Sequence, residues 1–261
     1  MRAKQWEHLV DEMVQPGQRT SSRCCPGTVG WRPEQVEDPL VVPLQQADAA
    51  WNARGSVGLT PAADALTALL TAAPLDNRVL WRIARLYWLR GFLTDLPDDA
   101  RNDWESGREY AYSCLTTDAD VEAGLRQSEW LVTPAALTTT TPEQRPCLMW
   151  GAANGLALVE HRGPGAVLDA EASCAMANRA AAIVGASEPG LLDWELAGCA
   201  WWLTGDAEAA TRRWRTAAES GNGLYLLAFH AHVPTEPIAL PTNALYSLEN
   251  ARAATLLGVR E

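Results

Sequence analysis

Apolar residues recur along most of this chain at the three- and four-residue spacing of an amphipathic helix. Residues 76–90 show it clearly, with Leu80, Ile83, Ala84 and Tyr87 on one side and Gly91 just beyond. Thr60 and Pro61 begin another such segment, because Thr favours a helix cap and Pro is tolerated in the first turn. No segment alternates between apolar and polar residues as a half-buried strand does. We therefore predict an all-α fold of roughly ten helices.

The predicted helical segments are separated by turns rich in Gly, Pro and Asp. They cover residues 44–54, 60–74, 76–90, 104–115, 121–131, 147–162, 166–184, 194–217, 224–232 and 243–257. The polar stretch 94–103 is expected to delay the helix that follows it. Residues 166–184 are consistent with one long helix or with two short ones that meet near Ser173.

Two segments depart from this helical pattern. Residues 1–43 contain many Pro and Gly among polar residues, which favours a disordered or extended N-terminal tail. Residues 118–146 contain four consecutive Thr and three Pro, and they interrupt the helices. We predict one helical domain over residues 44–261, with an insertion at about 118–146.

The segment 194–217 has the most specific pattern in the chain. It carries Trp194, Ala197-Gly198, Trp201, Gly205-Asp206, Ala210, Trp214 and Ala217. Small residues let two helices cross closely, and the aromatic rings fill the space beside the crossing. This spacing resembles the tetratricopeptide repeat. One such hairpin cannot bury its own apolar face, so the resemblance implies stacked helical hairpins in a curved superhelical array.

Composition narrows the classes of function. The chain of 261 residues carries a net charge of −11, and Arg greatly outnumbers Lys. No block of basic residues is present, which argues against nucleic-acid binding. No apolar stretch reaches the length of a transmembrane segment, and the first residues lack the apolar core of a signal peptide. The chain as it reads is expected in the cytoplasm, whereas a start further upstream would place it in the periplasm.

The cysteines and histidines give no sign of a catalytic or metal site. Cys114, Cys147, Cys174 and Cys199 fall on helical patterns, and we expect them to be reduced thiols in the core. His230 and His232 lie two apart without a further ligand at suitable spacing. The chain has no Gly-x-Ser-x-Gly motif, phosphate-binding loop or Cys–His pair. We therefore expect that the protein is not an enzyme and that it binds no cofactor or metal ion.

The candidate binding surface lies on the first helix of each hairpin, because those helices line the inner curve of stacked repeats. Aromatic and Arg side chains there are typical of residues that contribute most binding energy. The candidates are Trp81, Arg85, Trp88, Trp150, Asn154, His161, Glu195 and Trp202. For Trp88 and Trp202 a place in the core is favoured over a place in the groove, whereas Arg85 and Asn154 fit either interpretation equally well. His161 alternatively stabilises the end of its helix.

Several features together resemble the T component of TRAP-type transporters, a bacterial family with a tetratricopeptide-like fold. They are the order of the hairpins, the long insertion, residues 150–158 (WGAANGLAL), residues 107–111 (GREYA) and the Gly205-Asp206 turn. The resemblance covers roughly residues 44–257. It implies a non-enzymatic partner of a periplasmic substrate-binding protein, with a path for a small apolar ligand. Members of the family begin with a lipoprotein signal, and this chain departs from them there.

Two hypotheses of function follow. The first is a helical repeat scaffold that binds a protein or peptide, such as the substrate-binding subunit of a TRAP-type transporter. The second is a carrier that holds a small apolar ligand in a Trp-lined cavity. The sequence leaves homo-oligomerisation open.

Overall fold

The structure is a computed structural model that describes residues 38–162, 166–185, 188–232 and 246–257. In these ranges it contains twelve helices and no strand, which confirms the prediction of an all-α fold. They are α1 (Val41–Asn52), α2 (Arg54–Val57), α3 (Thr60–Ala72), α4 (Asn77–Leu93), α5 (Pro97–Leu115), α6 (Ala119–Gln127), α7 (Arg145–Arg162), α8 (Val167–Ala182), α9 (Leu191–Cys199), α10 (Ala207–Ala218), α11 (Gly223–His232) and α12 (Ser247–Leu257). A 3₁₀ turn, Pro142–Gln144, precedes α7, and a π turn, Ala200–Thr204, follows α9.

The predicted N-terminal tail lies outside the described residues as far as residue 37. The contacts between residues divide the chain between Pro39 and Leu40, and the described helices α1 to α12 all belong to one compact unit. Helix α1 begins at Val41, so the last three residues of the segment assigned to the tail are helical.

Side-chain caps explain where several helices begin. Asp76 accepts a hydrogen bond of 2.8 Å from the backbone N–H of Arg78 at the start of α4, and Asp206 caps α10 in the same way. Such caps satisfy N–H groups that have no partner within the helix.

The structure corrects one predicted helix start and decides between the two interpretations of residues 166–184. The stretch 94–103 was expected to delay the next helix, but α5 already begins at Pro97. Pro in the first turn, followed there by two Asp residues, suits a helix N-terminus, because the helix dipole favours negative charge. The segment 166–184 contains one long helix, α8 (Val167–Ala182), in which the Ser173 hydroxyl donates to the Asp169 carbonyl.

Helices that follow one another along the chain pack on one another, from α3 through α5 and from α7 through α12. Helices α4, α7 and α9 also pack side by side. Glycines allow these close approaches. Gly107 on α5 lies against the amide of Asn154 on α7, and a Cβ atom at Gly107 would overlap that amide.

The last described helix returns to the beginning of the domain. Helix α12 packs against α2 and α4. The Ser247 hydroxyl donates to the Gly55 carbonyl at 2.6 Å, and Arg252 donates to the carbonyls of Phe92 and Thr94 at 2.9 Å each. These contacts link residues that are about 160 to 190 positions apart in the sequence.

Four of the cysteines were expected to be reduced thiols, and this prediction is wrong. Cys114 and Cys147 form a disulfide between α5 and α7, and Cys174 and Cys199 form one between α8 and α9. Their Cα atoms lie 5.7 and 5.5 Å apart, within the range of disulfides. All four residues are buried on helices, as predicted. The pairing was missed because helical periodicity does not show which positions on two helices meet.

Within the described ranges, none of the helices combines the length and apolar character that a membrane-spanning segment needs.

Candidate functional site

A cavity of about 270 Å³ lies between α1, α2, α4, α7 and the residues that precede α9 and α12. It is lined by Trp51, Asn52, Arg54, Trp81, Arg85, Pro146, Met149, Trp150, Glu188, Pro189 and Tyr246. We call it the tryptophan cavity. Its volume corresponds to roughly nine water molecules. Its lining combines four aromatic side chains with two cationic groups and one carboxylate, so both apolar and charged groups face one small space.

Arg85 is a buried cation in the cavity wall, and its hydrogen bonding is incomplete. Its side chain is 10% exposed, and one terminal nitrogen donates to Asp48 at 3.2 Å. Asp48 also accepts two shorter hydrogen bonds from Arg82, at 2.8 and 2.5 Å. The Nε of Arg85 has no hydrogen-bond partner among the described residues. Burial lowers the pKa of Arg85 to about 10, although Glu188 and Asp48 oppose this shift.

Arg54 is the second cation, and each of its three guanidinium nitrogens donates a hydrogen bond. It is 1% exposed and donates to one Glu249 oxygen through Nε at 3.0 Å and through a terminal nitrogen at 2.7 Å. The other terminal nitrogen donates to the Trp51 carbonyl at 3.0 Å. Glu249 belongs to α12 and is itself 1% exposed. This buried ion pair therefore joins α12 to the wall of the tryptophan cavity.

The ring of Trp51 holds both guanidinium groups in position. The central carbon of Arg54 lies 4.3 Å from the ring centroid, and that of Arg85 lies 4.1 Å from it. Trp81 is stacked in the same manner under Arg82, at 4.1 Å. The indole face carries partial negative charge and attracts cations placed over it. These contacts compensate part of the cost of burying two like charges close together.

Glu188 provides the negative charge of the lining. Its side chain is 15% exposed and forms an ion pair of 3.8 Å with Arg54. Among the described residues no ion pair joins Glu188 to Arg85, although each affects the titration of the other. Burial raises the pKa of Glu188, and the two arginines oppose that shift. Glu188 and Arg85 therefore line the tryptophan cavity as opposite charges that are not joined by an ion pair.

Tyr246, just before α12, adds a hydroxyl group to the cavity wall. The residue is 1% exposed, and its hydroxyl has no hydrogen-bond partner among the described residues. Burial, with Glu188 nearby, raises its pKa to about 12. The group is therefore a neutral donor and acceptor at physiological pH.

Three of the predicted site residues, Trp81, Arg85 and Trp150, come together in the tryptophan cavity. Three others lie deeper in the helical core. Trp88 is 1% exposed, and its ring contacts those of Trp150, Trp194, Phe92 and Tyr225 at centroid distances of 5.0 to 6.1 Å.

Asn154 and Glu195 are also completely buried. The Asn154 amide donates to the carbonyls of Ala84 and Trp150, so it joins α4 to α7. Neither carboxylate oxygen of Glu195 has a hydrogen-bond partner among the described residues. Burial raises the pKa of Glu195 well above its usual value, with Arg145 opposing the shift.

The remaining two predicted residues lie elsewhere. His161 is exposed at the end of α7 in a shallow polar cleft with Arg101, Glu105 and Arg162. Its ring lies 5.9 Å from that of Trp104. Trp202, in the π turn, packs against a small apolar cluster of Val159, Ala166 and Ala170.

Sequence reasoning missed Trp51, Arg54, Glu188 and Tyr246. The first two belong to the end of the first predicted hairpin helix, which no repeat motif marks. Glu188 and Tyr246 lie in connections between helices, where periodicity gives no information. The place of Tyr246 in the cavity depends on the return of α12 to α2, a contact between distant parts of the chain.

The chemistry of the lining suits binding. The lining residues include no Ser, Cys or His, and their titratable groups are Arg54, Arg85, Glu188 and Tyr246. In the part of the chain that the structure describes, no group of three His, Cys, Asp or Glu residues is arranged to hold a metal ion. The tryptophan cavity therefore offers stacking surfaces and fixed charges to a bound molecule.

Comparison of the chain with the sequence profiles of known protein families gives no match, and comparison with curated protein sequences gives none. The resemblance to the TRAP transporter T component therefore stays a prediction.

Proposed function

We propose that this chain is a non-catalytic binding protein that holds a small ligand in the tryptophan cavity. Of the two hypotheses from the sequence, the structure favours the carrier. The observation that carries the proposal is that Trp81, Arg85 and Trp150, from two separate helices, line one cavity with Trp51 and Tyr246. Small-molecule sites are typically concave, largely aromatic, and supplied with a few fixed polar groups.

The wall of the cavity is fixed before any ligand arrives. Trp51 and Trp150 are almost completely buried, and the guanidinium groups are held by Asp48, Glu249 and the indole rings. A site whose side chains are already ordered loses little conformational entropy on binding. Such a site supports useful affinity in a cavity of this small size.

A thermal-shift screen of the full chain with small aromatic and apolar compounds tests the proposal. A ligand at 100 times its Kd stabilises the folded state by about 2.7 kcal/mol, which is readily detected. Asn52 is exposed and lines the cavity, so Asn52→Trp should obstruct the space with little effect on the core. The matched control, Asn52→Ala, should keep every stabilising compound.

The proposal fails if no compound stabilises the protein and native mass spectrometry of protein from its own cells finds no bound small molecule. It fails equally if stabilising compounds act on Asn52→Trp as strongly as on the wild type.

We propose further that the helical hairpins stack in the tetratricopeptide manner. The support is that α4, α7 and α9 pack side by side, while each also packs on the helix that follows it. The protein-partner hypothesis, with a TRAP-type substrate-binding subunit as the partner, stays a prediction. Co-purification from native cells tests it, and recovery of the chain alone would count against it.

We also propose that the protein matures in an oxidising compartment such as the bacterial periplasm. Disulfides persist in oxidising compartments and are rare among proteins of the cytosol. Two disulfides, each joining a pair of neighbouring helices, support this assignment. Alkylation of unfolded protein taken directly from native cells should leave the four cysteines unmodified until a reductant is added. Their modification without reductant would refute the assignment.

A further inference from the structure

We infer that the ligand of the tryptophan cavity is a small zwitterion with an aromatic body, of which a free aromatic amino acid is the simplest example. Its carboxylate would bind Arg85, and its ammonium group would bind Glu188. This inference rests on the proposed function, because it names the class of molecule that the same cavity would hold.

Arg85 supplies the argument for an anionic group. A charged side chain this deeply buried is costly unless hydrogen bonds replace those it made with water. Asp48 compensates it only in part, since that carboxylate is shared with Arg82, which holds it by the two shorter hydrogen bonds. Guanidinium groups bind carboxylates strongly and with defined geometry. A ligand carboxylate would complete the hydrogen bonding of Arg85.

Glu188 supplies the argument for a cationic group. Its closest described cation is Arg54, at 3.8 Å, which is longer than a hydrogen bond. Arg54 directs its Nε and the same terminal nitrogen to Glu249 at 3.0 and 2.7 Å. Glu188 is therefore left with a weak ion pair on one side and the cavity on the other. An ammonium group in the cavity would give it a close partner.

Ligands with one kind of charge fit this lining less well. A simple anion would meet Glu188, and a simple cation would meet both Arg54 and Arg85. An uncharged apolar molecule would cover the indole rings but would desolvate Arg85 and Glu188 further without a replacement partner. A zwitterion satisfies both charges and leaves its aromatic body for Trp81 and Trp150. The volume, roughly that of nine water molecules, suits a molecule of this size.

The test is isothermal titration calorimetry of the full chain with four probes that share one aromatic ring. L-phenylalanine carries both charges, N-acetyl-L-phenylalanine only the negative one, L-phenylalaninamide only the positive one, and benzyl alcohol neither. We expect L-phenylalanine to bind at least ten times more tightly than each of the other three.

Two variants assign each charge to its partner. Arg85→Gln should weaken L-phenylalanine and N-acetyl-L-phenylalanine by about tenfold, but leave L-phenylalaninamide unchanged or tighter. Glu188→Gln should weaken L-phenylalanine and L-phenylalaninamide by about tenfold, but leave N-acetyl-L-phenylalanine unchanged or tighter. The matched control is Arg90→Gln on the same helix, because Arg90 binds Asp103 and does not line the cavity. It should leave the ranking of all four probes unchanged.

Near-ultraviolet circular dichroism checks that each variant is folded. If Arg85→Gln does not fold, Arg85→Lys is used, and Glu188→Gln tests the other half independently. Equal binding of all four probes, with loss of binding in Asn52→Trp, would overturn the ligand class and leave the proposed function intact. Failure of L-phenylalanine to bind overturns the ligand class as well, and the thermal-shift screen then decides the proposed function separately.

Discussion

The buried ion pair between Arg54 and Glu249 allows a quantitative prediction, because it joins α12 to the start of the domain. Both side chains are 1% exposed, and two hydrogen bonds of 3.0 and 2.7 Å connect them. Removing one partner of such a pair leaves an uncompensated buried charge and costs about 3–5 kcal/mol. For Glu249→Leu we expect the lower end of that range, about 3 kcal/mol, because Glu188 at 3.8 Å partly neutralises Arg54.

The double variant Arg54→Met/Glu249→Leu removes both charges and replaces them with apolar groups. Replacement of a complete buried pair is often neutral or stabilising, so we expect the double variant to regain most of the lost stability. Urea unfolding at pH 7, followed by tryptophan fluorescence, gives the free energy of unfolding of the wild type, both single variants and the double variant. A cost below about 1 kcal/mol for Glu249→Leu, or additive costs in the double variant, would refute the reasoning.

Three further predictions concern stability and pH. Burial raises the pKa of Glu195 in the folded state, so its contribution to stability is present below about pH 4.5 and is lost as pH rises. Glu195→Gln should therefore unfold at a higher temperature than the wild type at pH 7, whereas the exposed control Glu208→Gln should not. Reduction of the disulfides, which span 33 and 25 residues, should lower the free energy of unfolding by about 3–4 kcal/mol for each bond. Urea titrations with and without reductant measure this loss, and an unchanged midpoint of the urea unfolding curve would contradict the prediction. Burial lowers the pKa of His232, whose ring stacks on that of Trp214 with the centroids 4.1 Å apart. Its contribution to stability is therefore present above pH 6.5 and lost on acidification. The wild type should show a change in tryptophan fluorescence below pH 6.5 that His232→Phe lacks.

The sequence predicted the helices well because each one buries a single apolar face. Helical spacing and capping residues such as Asp76 depend on neighbours within a few positions, so they are visible in one sequence. The start of α5 was missed because charged residues in a first turn have the same composition as a loop. The disulfides were missed because they depend on which positions of two helices meet.

The candidate site was predicted in part, for a reason that α4 illustrates. Trp81, Arg85 and Trp88 share one face of that helix, as their spacing indicated. Spacing identifies a face but does not show how far along the helix its neighbours extend. At Trp88 the rings of Trp194 and Tyr225 cover the face and make it core, whereas one to two turns earlier it borders the cavity.

The most direct test of the account is a crystal structure of the protein grown with an excess of L-phenylalanine. We predict electron density for the amino acid in the tryptophan cavity, with its carboxylate within hydrogen-bonding distance of Arg85 and its ammonium group beside Glu188. Density for ordered water alone in that space, at a concentration of amino acid that saturates the calorimetric titration, would contradict the account.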